Sequence, residues 1–327
     1  MDNLILKPEH LWNDYLMHTK VKEAFEELKI TSVNVPRVFT YISTKNEQWW
    51  QSAGSGILTS AQKSDILVSE RILPLPKLVR ETLVQRYGPE RVNGKVLDGE
   101  KSGYCLARVY LGDRRRRSRF FSLSNFNLTV DRIEALGLDA ERFAYSLGEG
   151  LAVINWQAEI DGADVEWVLG SKASSGSSDV PLSMEQLLTL PPCTDTTEQT
   201  NGGNLKSLMS DIFLLDFNRC KKITMDYQGV NQIVKAFFNN NTYYPRPLKE
   251  NVADQRLWTA FSSAYQNVGV EIFRRRFPDE PEFAKHKVLP ALVVQGVVEH
   301  ERKKNEKIKV DAGKDYDSIP DEGGCNE

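Results

Sequence analysis

Apolar residues recur three to five positions apart over residues 10–28, and this spacing predicts an amphipathic helix. The β-branched and aromatic run over residues 36–43 predicts a strand. Prolines 74 and 76 stand at the entrance of residues 72–87, which predict a second helix. The first third of the chain therefore combines helices with β-structure.

The clearest β pattern is a pair of runs, residues 104–111 and 119–126, which we interpret as the two strands of a hairpin. Gly112, Asp113 and a run of arginines separate the two runs and supply the turn. We therefore expect a dense basic cluster at the tip of this hairpin or on its second strand. Its members are Arg114, Arg115, Arg116, Arg117 and Arg119.

In the second half of the chain, Asp139 is a suitable N-cap for a long helix whose apolar face continues through Trp156. Residues 165–169 predict a short strand, and the nearly all-apolar residues 212–217 predict a buried one. Further helices are expected over 229–238, 254–273 and 283–300, the last interrupted by Pro290.

These elements predict an amino-terminal α+β lobe over residues 1–130 and a mainly helical carboxyl lobe over residues 131–300. Residues 171–204 are rich in Ser, Thr, Gly and Pro, which is typical of a mobile insertion. Residues 301–327 are rich in charge and predict a disordered tail. The expected fold class is α+β.

Composition narrows the class of protein. Its 327 residues hold 42 basic and 45 acidic side chains, a net charge of −3, with 40% hydrophobic residues, which excludes a disordered or fibrous chain. We find no apolar stretch long enough to span a membrane and no apolar secretory segment, so a cytoplasmic protein is expected. The four cysteines and four histidines lack ligand spacing, so no metal site is predicted.

Asp216 carries the strongest local pattern of the chain. It follows the apolar run 212–215 directly, and a strand end holds a carboxylate rigidly beside solvent, where it can bind a metal, a cation or a substrate ammonium. An ordinary aspartate that caps its own backbone at a strand end would give the same pattern. Both interpretations stay open at this point.

A second acidic pattern lies between the long helix and the strand at 165–169. If the strand begins at Asp164, then Asp164 and Glu166 point to the same face and their carboxylates can converge, with Asp161 nearby. Paired acids suit general acid/base chemistry or the binding of a guanidinium. A solvated loop is the alternative.

The order of these elements is similar to the carboxyl lobe of protein-kinase-like and aminoglycoside-phosphotransferase-like folds. In those families a catalytic-loop Asp and a later Asp-Phe-Gly acid serve phosphoryl transfer, and Asp161 or Asp164 would match the first and Asp216 the second. The chain departs from the pattern, because it lacks His-Arg-Asp and retains only Gly54-Ser-Gly56 of a glycine-rich loop.

A closer resemblance covers roughly residues 65–300. Its segments are Leu73-Pro-Leu-Pro-Lys-Leu-Val-Arg80, Tyr104-Cys-Leu-Ala-Arg-Val-Tyr-Leu-Gly112, Phe120-Phe-Ser-Leu-Ser-Asn-Phe126, Asp164-Val-Glu-Trp-Val-Leu-Gly170, Leu215-Asp-Phe-Asn-Arg-Cys220 and Tyr243-Tyr-Pro-Arg-Pro247. They resemble a fungal family, often labelled zinc-finger or hypothetical proteins, that includes arginine-containing cyclodipeptide synthases. The zinc label finds no support in these cysteines.

The resemblance implies an enzyme that joins arginine from arginyl-tRNA to a second aminoacyl group from its tRNA and closes a diketopiperazine for a secondary-metabolite pathway. It implies no cofactor, because the ester bonds are already activated, and no DNA or membrane partner. Expected catalytic residues are Asp164, Glu166 and Asp216. Expected substrate-binding residues are Asp161, Trp167 and Asn218. Expected tRNA contacts are Arg114, Arg115, Arg116, Arg117, Arg119, Lys221 and Lys222.

Two alternatives stay open. The first is a small-molecule phosphotransferase of kinase-like fold, in which Asp164 would be the base and Asp216 the metal ligand. The second is a non-catalytic, pseudokinase-like module whose acidic and basic loops bind a protein partner.

Overall fold

A five-stranded mixed sheet organises the fold in the computed structural model, together with a separate two-stranded sheet. The structure describes residues 8–52, 63–88, 105–114, 121–171, 183–189, 191, 208–209, 211–240 and 242–316. The strands are β1 (Val33–Asn34), β2 (Val38–Ile42), β3 (Ile66–Ser69), β4 (Ala107–Tyr110), β5 (Phe126–Thr129), β6 (Glu166–Leu169) and β7 (Ile212–Leu215).

Helices supply most of the remaining described structure, so the fold class is mixed α+β, as predicted. They are α1 (Pro8–Glu27), α2 (Glu47–Ser52), α3 (Lys77–Tyr87), α4 (Val130–Ala135), α5 (Ala140–Ala152), α6 (Met184–Leu188), α7 (Tyr227–Asn239), α8 (Val252–Arg276), α9 (Glu280–His286) and α10 (Leu289–Tyr316). A π-helical turn, Val153–Gln157, extends α5. No helix in the described ranges is long and apolar enough to cross a membrane.

The strand order in the larger sheet is β1-β7-β6-β4-β5. β1 runs parallel to β7 and β4 runs parallel to β5, whereas β6 is antiparallel to both of its neighbours. The sheet therefore combines three strands from before residue 130, the predicted boundary between the two lobes, with two strands from after it.

The predicted hairpin is wrong. The first run contains β4, but the second run, 119–126, reaches only the first residue of the neighbouring strand β5. β4 and β5 are also parallel, with Ala107 opposite Phe126 and Tyr110 opposite Thr129. Parallel strands need a crossover connection rather than a tight turn. The sequence showed two β runs separated by polar residues, and that pattern does not fix the relative direction of the strands.

Other expectations for individual elements are confirmed. The N-terminal helix, the strand near residue 40 and the two strands around the acidic patterns all form, and the Asp139 side chain accepts a hydrogen bond from the backbone N–H of Arg142 at the start of α5. Trp156 is fully buried and packs against Tyr265 and Phe273 on α8, as its place on the apolar face predicted.

The helical segment expected over 283–300 is interrupted as predicted, at residues 287–288 between α9 and α10. Pro290 is the second residue of α10, where its missing N–H would have no helical partner. One expectation about the C-terminal part needs correction. The tail predicted as disordered from residue 301 is helical to Tyr316, and its first residue, Glu301, is buried in an ion pair with Arg246. Residues 317–327, and most of the predicted insertion 171–204, lie outside the described residues; within that insertion, α6 is described.

The core lies between one face of the large sheet and the pair α5 and α8. Trp167 on β6 is fully buried against Gly150 of α5, where an added Cβ would approach the indole to 2.7 Å. A Cβ on Gly148 would lie 2.2 Å from the backbone oxygen of Phe261 on α8. The two helices therefore cross with their backbones close together, and only glycine fits at residue 148.

Candidate functional site: an acidic cluster at the β6–β7 junction

Antiparallel pairing of β6 and β7 brings the two acidic sequence patterns together. Glu166, the first residue of β6, is opposite Leu215, the last residue of β7. Asp164 precedes this pair and Asp216 follows it in the chain. The start of one strand and the end of the other therefore present three carboxylates at one edge of the sheet. β6 begins at Glu166 rather than at Asp164, so strand alternation does not place Asp164 there.

Asp164 and Asp216 both have left-handed backbone conformations, with φ of 66° in each case. Aspartate tolerates this region better than most residues, because its short side chain can bond to nearby backbone groups. Non-glycine residues in this region concentrate at functional sites, where the surrounding structure holds them. At Asp164 this conformation turns the chain just before β6, and at Asp216 it turns the chain just after β7.

Asp14 on α1 adds a fourth carboxylate. Its Oδ1 accepts a hydrogen bond of 2.9 Å from the backbone N–H of Phe217. The neighbouring Asn13 donates through Nδ2 to the backbone oxygens of Asn218 at 3.0 Å and Cys220 at 2.9 Å. Helix α1 therefore holds the loop after β7 in place. We refer to Asp14, Asp164, Glu166 and Asp216 as the acidic cluster.

Two arginines partly neutralise the acidic cluster. Arg108 on β4 places Nη2 2.6 Å from Oε1 of Glu166, and both side chains are largely buried. Arg219 places Nε 3.2 Å from Oδ2 of Asp164 in a more exposed pair. When all four carboxyl groups are ionised, the four negative charges face two positive ones. The site therefore favours a cationic ligand.

Burial shifts the protonation equilibria of these acids. It raises the pKa of Asp14 to about 6, against the opposing effect of the Phe217 N–H, and the nearby charge of Asp216 adds to the rise. Burial also raises the pKa of Asp216, with a further contribution from Asp164. The pKa of Glu166 is raised by burial as well, although Arg108 opposes the change. Carboxyl groups with raised pKa values are better proton acceptors than free carboxylates.

Buried polar atoms without partners lie beside the cluster. Asn218 Oδ1, Arg108 Nε and Tyr243 Oη are all inaccessible to solvent and have no hydrogen-bond partner. Burial raises the pKa of the Tyr243 phenol, and the charge of Glu166 adds to the rise. Most buried polar groups in proteins are paired, so three such atoms near one set of acids are an unusual concentration of unsatisfied polar groups.

Two predicted substrate-binding residues have structural positions instead. Asp161 is buried, and its Oδ1 accepts from the backbone N–H groups of Ala163 at 3.1 Å and Lys221 at 2.9 Å, while Oδ2 accepts from Gln232 at 2.9 Å. Trp167 is on the opposite face of β6 from Glu166 and donates to Tyr244 Oη at 3.3 Å within the core. Neither side chain faces the acidic cluster.

The predicted tRNA contacts have mixed positions. Lys221 and Lys222 are exposed beside the loop after β7. Arg114 is held by Glu134, whose carboxylate oxygens lie 2.7 and 2.9 Å from its two Nη atoms, and by Asp254 at 2.7 Å from Nε. All three of its nitrogens are therefore occupied within the protein. Arg115, Arg116, Arg117 and Arg119 lie outside the described residues.

Cys220 and His18 do not have the properties of catalytic groups. Burial, with nearby carboxylates adding to the effect, raises the pKa of the Cys220 thiol well above its ordinary value. Burial lowers the pKa of His18 to about 4, and its Nε2 lies 2.9 Å from the backbone oxygen of Pro36. A buried, protonated thiol such as Cys220 is structural rather than reactive.

Asp14 and Arg108 were not predicted as site residues from the sequence. Asp14 lies on a helix whose polar positions look solvated, and Arg108 is one polar residue of a mainly apolar strand. The only available indication was alternation in β4, which places Arg108 on the face opposite Ala107 and Val109.

Comparison with known proteins gives one partial match. A family model named DUF3669 and described as a zinc finger protein matches residues 212–276, the segment from β7 to the end of α8. This segment contains one cysteine and no histidine, whereas a structural zinc site usually needs four such ligands. Among the described residues, no group of three or more His, Cys, Asp or Glu side chains is arranged to hold a metal ion. No curated protein and no solved structure matches the chain significantly.

Proposed function

We propose that this chain is an aminoacyl-tRNA-dependent cyclodipeptide synthase that joins arginine from arginyl-tRNA to a second aminoacyl group and releases a cyclo(arginyl-Xaa) diketopiperazine. The proposal depends on the adjacent, half-buried carboxyl groups of Glu166 and Asp216 with their raised pKa values. The proposal also includes a cytoplasmic location, where charged tRNA is present, and a remote protein-kinase-like arrangement of α5, β6, β7 and Asp216.

Charge complementarity supports the choice of substrate. An arginyl ester carries a guanidinium and an α-ammonium, two positive charges in total. The acidic cluster has an excess of two negative charges over Arg108 and Arg219 when fully ionised. Charge-assisted hydrogen bonds between a guanidinium and a carboxylate are strong because the two planar groups match in geometry.

The reaction needs a proton acceptor and no external oxidant or reductant. The α-ammonium of one aminoacyl group loses a proton to a carboxylate, and its nitrogen attacks the ester carbonyl carbon of the other. An amide C–N bond forms, the ester C–O bond breaks, and the ribose oxygen of the tRNA leaves with a proton. A second attack by the remaining amine closes the ring and releases the second tRNA.

Within this scheme, Asp216 and Glu166 are the proposed proton acceptors, and Asp164 with Asp14 contributes negative charge that holds the cationic substrate. Arg108 positions Glu166 through the 2.6 Å ion pair. Asn218 is a proposed substrate contact, because its buried Oδ1 is an acceptor without a donor. Because the acceptors act as carboxylates, the rate of the reaction is expected to rise with pH through the raised pKa values of these two groups.

The test is mass spectrometry of extracts from cells that overexpress the full chain, since every cell already contains charged tRNA. We expect a new arginine-containing diketopiperazine, which an Asp216→Asn variant does not produce. Asparagine preserves side-chain size and tolerates the left-handed backbone at this residue. The matched control is Asp279→Asn at the N-cap position of α9, where the Asp279 side chain makes no capping hydrogen bond that the substitution could remove.

Soluble, folded protein that yields no such product would contradict the proposal. An ATP- and Mg²⁺-dependent rise in melting temperature in that case would support the phosphotransferase alternative. Equal product from the wild type and the Asp216→Asn variant would remove Asp216 from the mechanism.

A further inference from the structure

Helix α10 is anchored to the body of the protein near its midpoint. Glu301 is buried and forms an ion pair with Arg246, a buried residue in the segment between α7 and α8. The neighbouring His300 ring stacks on Phe238 of α7, with 3.9 Å between the ring centroids. Val297, one turn earlier, is buried in the core. These contacts fix the direction in which α10 continues after Glu301.

Beyond Glu301 the helix presents charged side chains to solvent. Residues 302–304, 306 and 307 are exposed. We refer to residues 302–307 as the basic segment, since it carries four basic side chains and one acidic one, Glu306. Glu299, one turn before Lys303, is a second exposed acid, and the Glu301 carboxylate is already neutralised by Arg246. This stretch of helix therefore has a net charge of +2, from four basic and two acidic side chains.

The positive charges of the basic segment are not compensated by ion pairs within the described part of the chain. The arginine run at the end of α8 is different. Arg274 and Arg275 both pair with Glu271, and Arg276 pairs with Glu159. A ligand of the basic segment would therefore not have to displace an internal carboxylate.

Helical periodicity places three of the four basic side chains on one face. Lys303, Lys304 and Lys307 lie within an arc of about 100° around the helix axis. The acids Glu299 and Glu306 lie outside this arc by the same periodicity. The lysine face is therefore more positive than the net charge of the whole segment indicates.

The composition of the basic segment selects the class of partner. The segment reads Arg-Lys-Lys-Asn-Glu-Lys and has no apolar residue. A helix that lies on a membrane surface needs an apolar face, and the cores of protein–protein interfaces are depleted in lysine and enriched in aromatic residues. A phosphate backbone requires only exposed basic side chains. The segment therefore suits a nucleic acid.

The anchor of the basic segment is close to the acidic cluster. Arg246, which holds Glu301, follows Tyr243 by three residues, a distance that a chain can span in at most about 11 Å. The Tyr243 phenol is near enough to Glu166 to feel the charge of that carboxylate. The chain thus has a negatively charged site and, near it, a positively charged helix.

We propose that the basic segment binds the phosphate backbone of the tRNA whose aminoacyl group enters the acidic cluster. An aminoacyl-tRNA has a positive charge at its aminoacyl end and a negative charge at each phosphate, so its charges complement these two surfaces in the same order. The identity of the RNA rests on the proposed function. The lysine face supplies the contacts, and each phosphate that it neutralises releases a counterion.

The experiment measures filter binding of deacylated tRNA to the full-length protein at salt concentrations from about 50 to 200 mM. Glutamine replaces lysine in both variants, because it removes the charge and is a good helix former. The test variant carries Lys303→Gln, Lys304→Gln and Lys307→Gln. The matched control loses the same number of charges at exposed lysines on α3 and at the end of α9, where the ion pairs are exposed and weak: Lys77→Gln, Lys285→Gln and Lys287→Gln.

We expect the test variant to bind tRNA about tenfold more weakly than the wild type and to reduce the salt slope by about 3, one for each lysine. The control variant should keep the wild-type slope. No tRNA binding to the wild type, an unchanged slope in the test variant, or an equal loss in the control would overturn the proposal.

Product analysis of the same proteins separates this inference from the proposed function. A wild type that makes the diketopiperazine while the test variant binds tRNA normally would exclude the basic segment and leave the synthase intact. A wild type that binds tRNA through the three lysines but makes no product would support the surface and contradict the synthase.

Discussion

The Asp14 carboxylate on α1 accepts a 2.9 Å hydrogen bond from the backbone N–H of Phe217, the residue that follows Asp216. Helix α1, near the start of the chain, therefore holds the backbone next to Asp216, the proposed catalytic acid. The same contact places the two carboxyl groups close together, and the charge of Asp216 adds to the rise that burial causes in the pKa of Asp14.

Asp14→Asn is expected to change how stability depends on pH. The pKa of Asp14 is raised from 3.8 to about 6 in the folded chain, so the stability that protonated Asp14 provides is complete below pH 3.8 and is lost as the pH rises through 6. Asparagine resembles the protonated acid at every pH. The variant should match the wild type near pH 4 and exceed it by up to about 3 kcal/mol at pH 7.5.

Urea unfolding of both proteins from pH 4 to pH 8 measures this difference. Parallel stability curves across that range would show that Asp14 titrates normally. Asparagine retains an oxygen that can accept from the Phe217 N–H, so the hydrogen bond itself is kept in the comparison.

Asp161 and Asp164 are separated by three positions but are expected to respond differently to substitution. Asp161→Ala removes the acceptor of three hydrogen bonds in a buried site, and we expect the free energy of unfolding to fall by about 2 to 4 kcal/mol. Asp164→Asn affects only an exposed pair with Arg219, so its effect on stability should be below about 1 kcal/mol.

Denaturant unfolding, paired with product yield per folded molecule, tests both residues. If the proposed function is correct, Asp164→Asn loses product while it remains folded, and Asp161→Ala loses product only in proportion to unfolding. A stable Asp161→Ala protein would contradict the structural role of that carboxylate.

Gly148→Ala should destabilise the packing of α5 on α8. The added Cβ would lie 2.2 Å from the backbone oxygen of Phe261, so the helices must move apart, at a cost of about 1 to 3 kcal/mol. Gly296→Ala on α10 is the matched control, because its closest contact is a Val234 methyl carbon at 2.9 Å rather than backbone. Thermal unfolding should separate the two variants clearly, and equal melting temperatures would exclude a tight crossing at Gly148.

Cys220 should be unreactive in the folded protein. Its thiol is buried and its raised pKa keeps it protonated near neutral pH, so alkylation should proceed only after unfolding. Labelling with iodoacetamide at pH 7.5, followed by peptide mass spectrometry, reports this residue separately from the other cysteines. Rapid labelling of native protein at Cys220 would reopen the possibility of a nucleophilic thiol.

Helix α1 shows what hydrophobic periodicity in the sequence can predict and what it cannot. The apolar spacing located the helix, but the side that packs into the core carries Met17, His18 and Val21, while Leu16 is 43% exposed. A buried histidine that is hydrogen-bonded to a backbone oxygen counts as polar in the sequence. Hydrophobicity alone therefore assigned the wrong side of this part of the helix to the core.

The part of the candidate site that lies on the paired strands β6 and β7 could be predicted from the sequence. The part that depends on the packing of α1, a helix distant in sequence, could not. Asp164, Glu166 and Asp216 end or begin apolar runs, and antiparallel pairing brings them together. Asp14 joins them only because α1 packs on the loop after β7. Whether Asp161 or Asp164 faces solvent depends on the position of Gln232, which no local pattern reveals.

The parallel pairing of β1 with β7 has a consequence for synthesis on the ribosome. Val33 emerges roughly 180 residues, or about 10 to 35 seconds, before its partner Ile212. During that interval the first strand has no β7 to pair with, and α1 has no loop at residues 216–220 on which to dock. The start of the nascent chain must therefore remain soluble and unpaired until two thirds of the protein has been made, so its aggregation during translation competes directly with assembly of the acidic cluster.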